Sequence, residues 1–234
     1  AKEWYLRVVP TDLSKDQKDE FFFKLGYTHL LLKDSTKAKA TFISSKDSKN
    51  DFGYASKYYF ATLLFASNNK SMEAYSQFKD LGDAGKYMDQ VYNYMIQIKH
   101  QLGNFRDCID VFSIEDKKKH LTYDNVYLIG DAHYQLKEYQ KAIKYFGEYD
   151  STLSVLKIRT SNRNFNYAYG NAFYQTGNLE NAITRFNLAI TKQDSLSQII
   201  YYQIADIFKQ QYTKTKDEGK LINARTAFEK AASL

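Results

Sequence analysis

Proline is almost missing from this chain, which holds one, Pro10, in 234 residues. Helix interiors reject proline because it has no amide hydrogen and its ring clashes with the preceding turn, so a chain this poor in it can run as helix nearly throughout. Cysteine is as scarce. Cys108 stands alone, which excludes an internal disulfide and leaves the redox compartment undecided. No apolar run reaches the roughly eighteen residues that span a bilayer. The most hydrophobic stretch, FFFKLGYTHLLLK from Phe21, is broken by Lys24, Thr28 and His29. A surface of one charge sign is lacking too, because the 33 basic and 27 acidic residues are interspersed. The net charge of +6 gives only weak attraction to polyanions. The run Lys117–Lys119 and the segment Thr213–Lys220 read as solvated turns.

Chemical motifs are absent as well. The four histidines, His29, His100, His120 and His133, include no HExxH pair that would place two metal ligands on one helix face. There is no GxxxxGKS phosphate loop, no GxSxG elbow and no GxGxxG after a strand. No catalytic residue, metal site or cofactor is expected, and the chain reads as non-enzymatic. His29 and His133 read as packing residues, and so does Cys108, which stands in a slot that suits a small side chain.

What is present is a repeat. A small residue is followed four positions later by phenylalanine at Ala38 and Phe42, Ala74 and Phe78, Cys108 and Phe112, Ala142 and Phe146, Ala182 and Phe186, and Ala224 and Phe228. Successive small residues lie 36, 34, 34, 40 and 42 apart, a period that marks stacked helical hairpins. Twelve residues before Ala38, Ala142 and Ala182 stand Gly26, Gly130 and Gly170. Glycine inside a helix costs about 1 kcal/mol against alanine, so its recurrence needs a packing reason. Close approach of two antiparallel helices supplies one, with the phenylalanine filling the adjoining space.

This pattern resembles the tetratricopeptide repeat. The resemblance implies an all-α, right-handed α-solenoid of about six hairpins, over residues 19–52, 55–88, 89–122, 123–156, 163–196 and 198–234. Residues 1–18 are then the end of a preceding repeat or a linker. Units four and five match best. Unit three departs, with Ile96 at the glycine position, Lys99 at an aromatic position and Cys108 at the alanine position, and a splayed hairpin is expected there. Extra residues at Lys157–Asn162 and around Gln211–Asp217 are expected to loosen the joints they fall in. Phe228, Ala231 and Leu234 are still patterned for burial, so further repeats or another chain are expected to cover that end. The chain is expected to be a segment of a longer protein.

In this family the first helix of each unit lines the concave surface at fixed positions. The resemblance therefore implies a partner-binding groove of Tyr59, Tyr94 and Gln101 from units two and three, and Tyr127, Asp131, Tyr134 and Gln135 from unit four. Unit five would add Tyr167, Asn171, Tyr174 and Gln175, and unit six Tyr202, Asp206 and Gln210. Tyrosine is abundant, at 21 residues, more than internal packing requires. Amides donate and accept, and phenols add apolar area with a hydroxyl handle, so such a groove suits a peptide or a partner protein. Relatives that clamp a C-terminal carboxylate use cations here, whereas only Lys24 and Lys209 supply them. The plain alternative is that these polar positions merely solvate the inner face. A single-stranded RNA reader is the other alternative, but it would need lysine and arginine along the groove, so no nucleic-acid partner is expected. The stretches YLRVVPTDLSKDQKDEFFFKLGYTHLL, YYFATLLFASNNKSMEAYSQF and DSLSQIIYYQIADIF are similar to large tetratricopeptide proteins of Gram-negative envelopes. That implies a periplasmic or envelope-associated scaffold, although no signal sequence is present.

Overall fold

The structure, a computed structural model, describes residue 5 and residues 8–67, 71–113, 122–158 and 162–234. Trp4, His120, the Lys117–Lys119 run and residues 159–161 of the expected insertion lie outside the described residues. Among the described residues all regular structure is helical. Twelve α-helices among the described residues form six consecutive hairpins: α1 (Lys15–Leu31) with α2 (Ser35–Phe42), α3 (Asp51–Ala66) with α4 (Ser71–Asp83), α5 (Met88–Gln101) with α6 (Phe105–Ser113), α7 (Tyr123–Gln135) with α8 (Tyr139–Val155), α9 (Arg163–Gln175) with α10 (Leu179–Ala189), and α11 (Ser195–Thr215) with α12 (Glu218–Ala232). Pro10 starts a short 3-10 turn, Pro10–Asp12, before the first of them.

Local chemistry sets where these helices begin. Ser14 accepts from the Gln17 amide and the Gln17 side chain accepts from the Ser14 amide, a reciprocal cap on α1. Asp34, Asn50, Asn162, Asn178, Asp194 and Asp217 each accept from an amide two or three residues on and so open α2, α3, α9, α10, α11 and α12. Five of the first helices end in a left-handed residue that lets the chain reverse: Lys33, Gly103, Lys137, Gly177 and Lys216 all have positive φ.

The recurring small and aromatic residues are the core. Ala38, Phe42, Ala74, Phe78, Cys108, Ala142, Phe146, Ala182 and Phe186 are fully buried. A Cβ placed on Gly26, Gly130 or Gly170 would lie 2.6, 2.7 or 2.8 Å from the ring of Phe42, Phe146 or Phe186, which is why these positions carry no side chain. In the third hairpin Ile96 is fully buried, and the Cys108 thiol reaches the Ile96 carbonyl at 3.7 Å. Lys99 is buried with it, its ammonium 2.8 Å from Asp107 and 4.5 Å above the Tyr75 ring. His133 stacks flat on Tyr145 and holds Glu138 through Nδ1 at 2.7 Å, the packing role expected of it.

The chain divides into two compact units, Ala1–Thr122 and Tyr123–Leu234. In the first, α3 packs on both α1 and α2, and α5 packs on α4. Buried Asp19 accepts from Ser48 Oγ and Asn50 Nδ2, each at 2.8 Å, and so ties α1 to the residues that lead into α3. In the second, α9 packs on α7 and α8, and α11 packs on α10. Arg185 of α10 grips Asp150 of α8 with both guanidinium arms and lies 4.6 Å over the Tyr169 ring of α9. The residues expected to loosen the sixth hairpin do not form a loop. They extend α11 to Thr215, and the chain turns only at Lys216, where φ is +57°. Gln211 to Thr215 are good helix formers or tolerated on an exposed face, so adding them to the helix is cheaper than leaving their backbone unpaired.

Candidate functional site

The residues expected on an inner face separate into those that hold hairpins together and those that present chemistry outward. In the first unit Tyr59 stacks on Phe42 at 5.9 Å and meets Tyr27 and Phe23. Tyr94 lies flat on Phe78 at 4.7 Å, with Phe65 and Tyr58 edge-on to it. Gln101, at the end of α5, is exposed. Between Tyr58, Tyr94, Asn93, Gln97 and Thr122 opens a cavity of about 500 Å³. Its floor is set by Asn93, whose Oδ1 accepts from the Thr122 amide at 3.2 Å. Burial raises the Tyr58 and Tyr59 hydroxyls above the usual phenol range, so both are neutral donors at any physiological pH.

Tyr58 is a contributor that the repeat register did not single out. It stacks at 4.7 Å on Tyr87, which precedes α5 in a left-handed conformation with φ of +55°. No periodicity could have shown this contact, because Tyr87 lies outside any helix.

The second unit carries the fuller array. Tyr127 sits among Phe146, Tyr149 and Phe165, with centroids 6.1, 5.4 and 5.9 Å away, and burial pushes its hydroxyl up to about 12. Tyr167 of α9 packs near Phe186 at 6.2 Å. Burial raises the Tyr134 hydroxyl of α7 above the usual phenol range, with a smaller contribution from Tyr167. Asp131 and Asn171 are buried, and Gln135 donates to Asp131 at 3.5 Å. Across the next joint the Tyr174 hydroxyl donates to Asp206 at 2.6 Å, and Gln210 Nε2 donates to the same oxygen at 2.6 Å. The hydrogen bond to Asp206, with burial second, pushes the Tyr174 hydroxyl up to about 12. Gln135, Gln175 and Tyr202 are exposed beside these groups. The structure thus joins Tyr174, Asp206 and Gln210 in one hydrogen-bonded group in the second unit. Tyr59, Tyr94 and Gln101 belong to the first unit.

Among the described residues no cluster of three His, Cys, Asp or Glu side chains is placed to hold a metal ion, and no helix is long and apolar enough to cross a membrane.

Antiparallel hairpins stacked through a glycine–phenylalanine contact define a helical-repeat fold. Residues 123–150, which make up α7 and most of α8, match the family model of the tetratricopeptide repeat. The crystal structure of a tetratricopeptide repeat protein from Parabacteroides merdae is similar over 93% of this chain and 80% of its own, at 19% identity and a TM-score of 0.59. MamA MSR-1 C2 is similar over 74% of this chain and 94% of its own, at 13% identity and a TM-score of 0.55. Among curated proteins none matches the sequence. Beyond the matched residues 123–150, the likeness to these structures is one of fold, the all-α helical repeat.

Proposed function

We propose that this protein is a non-enzymatic scaffold whose second unit binds a peptide or an extended segment of a partner protein along the strip from Tyr134 to Gln210. The observation that carries this reading is the Tyr174–Asp206–Gln210 network, with the exposed amides of Gln135 and Gln175 beside it. The network fixes a phenol and an amide without using their full capacity. Each can still exchange hydrogen bonds with a peptide backbone, while the neighbouring rings take its apolar side chains. The strip offers no row of cations, so nucleic acid is not part of this reading. Residence in the periplasm or cell envelope is proposed on sequence resemblance alone, and fractionation of the native cells tests it.

A peptide array probed with the whole chain tests the groove. Peptides that it retains should lose about tenfold in affinity when Gln135 and Gln175 are both replaced by alanine, since residues that anchor a partner cost more than about 1 kcal/mol when truncated. Unchanged affinity for every retained peptide would refute the assignment.

A further inference from the structure

Arg185 fills a slot between the fourth and fifth hairpins. Its guanidinium grips Asp150 with both arms, reaches Asn166 Oδ1 at 3.4 Å and lies 4.6 Å over the Tyr169 ring. The repeat fixes where each of these groups stands. Arg185 is three residues after the small residue Ala182, and Asp150 is eight after Ala142; Tyr169 and Asn166 come one and four residues before Gly170. Counted in the same way from Cys108, Ala74 and Ile96, the four positions between the second and third hairpins hold Val111, Gly82, Met95 and Tyr92. No long side chain fills the slot there, and these four residues line a cavity of about 270 Å³. Its floor is apolar and deep, since Met95, Tyr92 and Val111 are all buried. Its mouth is acidic. Asp83, Asp107 and Asp110 line it and are exposed to solvent. Set against Lys79, which also lines it, and Lys99, which meets Asp107 at 2.8 Å, they leave a surplus of one negative charge. Lys79 meets Asp83 at 2.6 Å, but both side chains are more than half exposed, and such a pair holds its partners weakly. The joint between the fifth and sixth hairpins makes the contrast. Ala227, three after Ala224, also leaves a cavity, of about 240 Å³, but no carboxylate lines it.

We infer that the cavity between α4, α5 and α6 receives an arginine side chain from a partner polypeptide, with its stem on Met95 and Val111 and its guanidinium among the three carboxylates. Arg185 is the template, because it shows what the same slot holds where the chain supplies the occupant itself. Arginine suits the site better than lysine. Its planar fork takes a carboxylate through two hydrogen bonds, stacks on rings such as Tyr92 and sheds its water more easily than an ammonium. The methylene stem covers the apolar floor while the charge stays at the mouth. Arg185 enters its slot from a helix, so the slot takes a side chain whose main chain stays outside, as a polypeptide's does. The cavity belongs to the first unit, and no residue of the strip proposed above lines it. One hairpin precedes and others follow the two that form it.

The probe is the peptide acetyl-Gly-Arg-Gly-amide, titrated into the whole chain labelled with carbon-13 at its methionine methyls. Met72, Met88 and Met95 give three signals, and Met95→Leu assigns the one in the cavity. That signal should shift saturably with the arginine peptide. Affinity should fall about tenfold or more when lysine replaces the arginine of the probe, and likewise in the double variant Asp83→Asn, Asp110→Asn. Both of those protein positions are exposed, so the double variant should keep the melting temperature of the parent. Val111→Arg, which returns an arginine to the slot in cis, should abolish the shift; the asparagine pair decides the matter should that variant fail to fold. Gln135→Ala with Gln175→Ala should leave the response intact, which separates this site from the strip. Four results would each overturn the inference: no saturable shift of Met95, equal affinity for the lysine peptide, undiminished affinity in the asparagine pair, or guanidinium chloride binding as tightly as the peptide. The last would make the cavity a plain cation site with no use for a polypeptide.

Discussion

A single absent methyl group sets the hairpin geometry. Gly130 lets α7 and α8 approach until the Phe146 ring occupies the space a Cβ would take, and that ring is fully enclosed. Replacing Gly130 with alanine would gain about 1 kcal/mol of helix propensity, but would force a buried ring out of its place at about 1–3 kcal/mol. Gly130→Ala is therefore expected to destabilise the chain by up to about 2 kcal/mol, measured from urea unfolding midpoints. This contact was legible in the sequence as a glycine sixteen residues before a phenylalanine. The stack of Tyr58 on Tyr87 was not, since it depends on a backbone twist that no spacing encodes.

Helix ends carry the next set of effects. Gly103 and Gly177 adopt the left-handed turn freely, whereas Lys137 holds it at φ of +59° with a side chain that disfavours it by roughly 1–2 kcal/mol. Lys137→Gly is expected to stabilise the fourth hairpin by about 1 kcal/mol, less than the full strain because glycine gains more freedom in the unfolded chain. Thermal unfolding monitored by circular dichroism would show it. At the start of α11, Asp194 caps the helix through the Ser197 amide and takes both arms of Arg163, each at 2.5 Å. The Arg163 guanidinium holds the Asp194 carboxyl well below the usual carboxylate range. A depressed carboxyl stabilises the fold above its ordinary pKa, near 4, and that contribution is lost as pH falls below it. The melting temperature should therefore drop between pH 5 and pH 2 in the parent, and Asp194→Asn should flatten that drop while lowering stability at neutral pH. An unchanged acid limb in the variant would remove Asp194 from the account.

The whole chain is two compact units, each of three hairpins. In repeat proteins the stability of an array is close to a sum of hairpins and nearest-neighbour joints, so a run that keeps its own joints keeps most of its stability. Residues 123–234 contain the joints of α9 on α7 and α8 and of α11 on α10, with the clamps Arg185–Asp150 and Arg163–Asp194. Expressed alone, this fragment is expected to show a helical circular dichroism spectrum and one cooperative thermal transition. A gradual, non-cooperative melt would show that the joints are not sufficient.

Sequence alone determined the helical class, the hairpin period and the enclosed residues, because a small residue and a phenylalanine four positions apart, repeated at nearly constant spacing, can be satisfied only by helices that meet at those points. It also nominated the first-helix tyrosines and amides as the inner face. Tertiary structure decided which of them are occupied. Tyr127 and Tyr167 have their rings committed to the joint with the next hairpin, Tyr174 is bound to Asp206, and the Tyr202 ring meets Phe228 but stays mostly exposed. The physical reason is that register assigns a side chain to a helix face, while its exposure depends on what the neighbouring helix brings across the joint. That neighbour lies some 32 to 38 residues away in the chain. The same limit hid the extension of α11, since a helix and a polar loop differ there only in whether a turn residue such as Lys216 comes early or late.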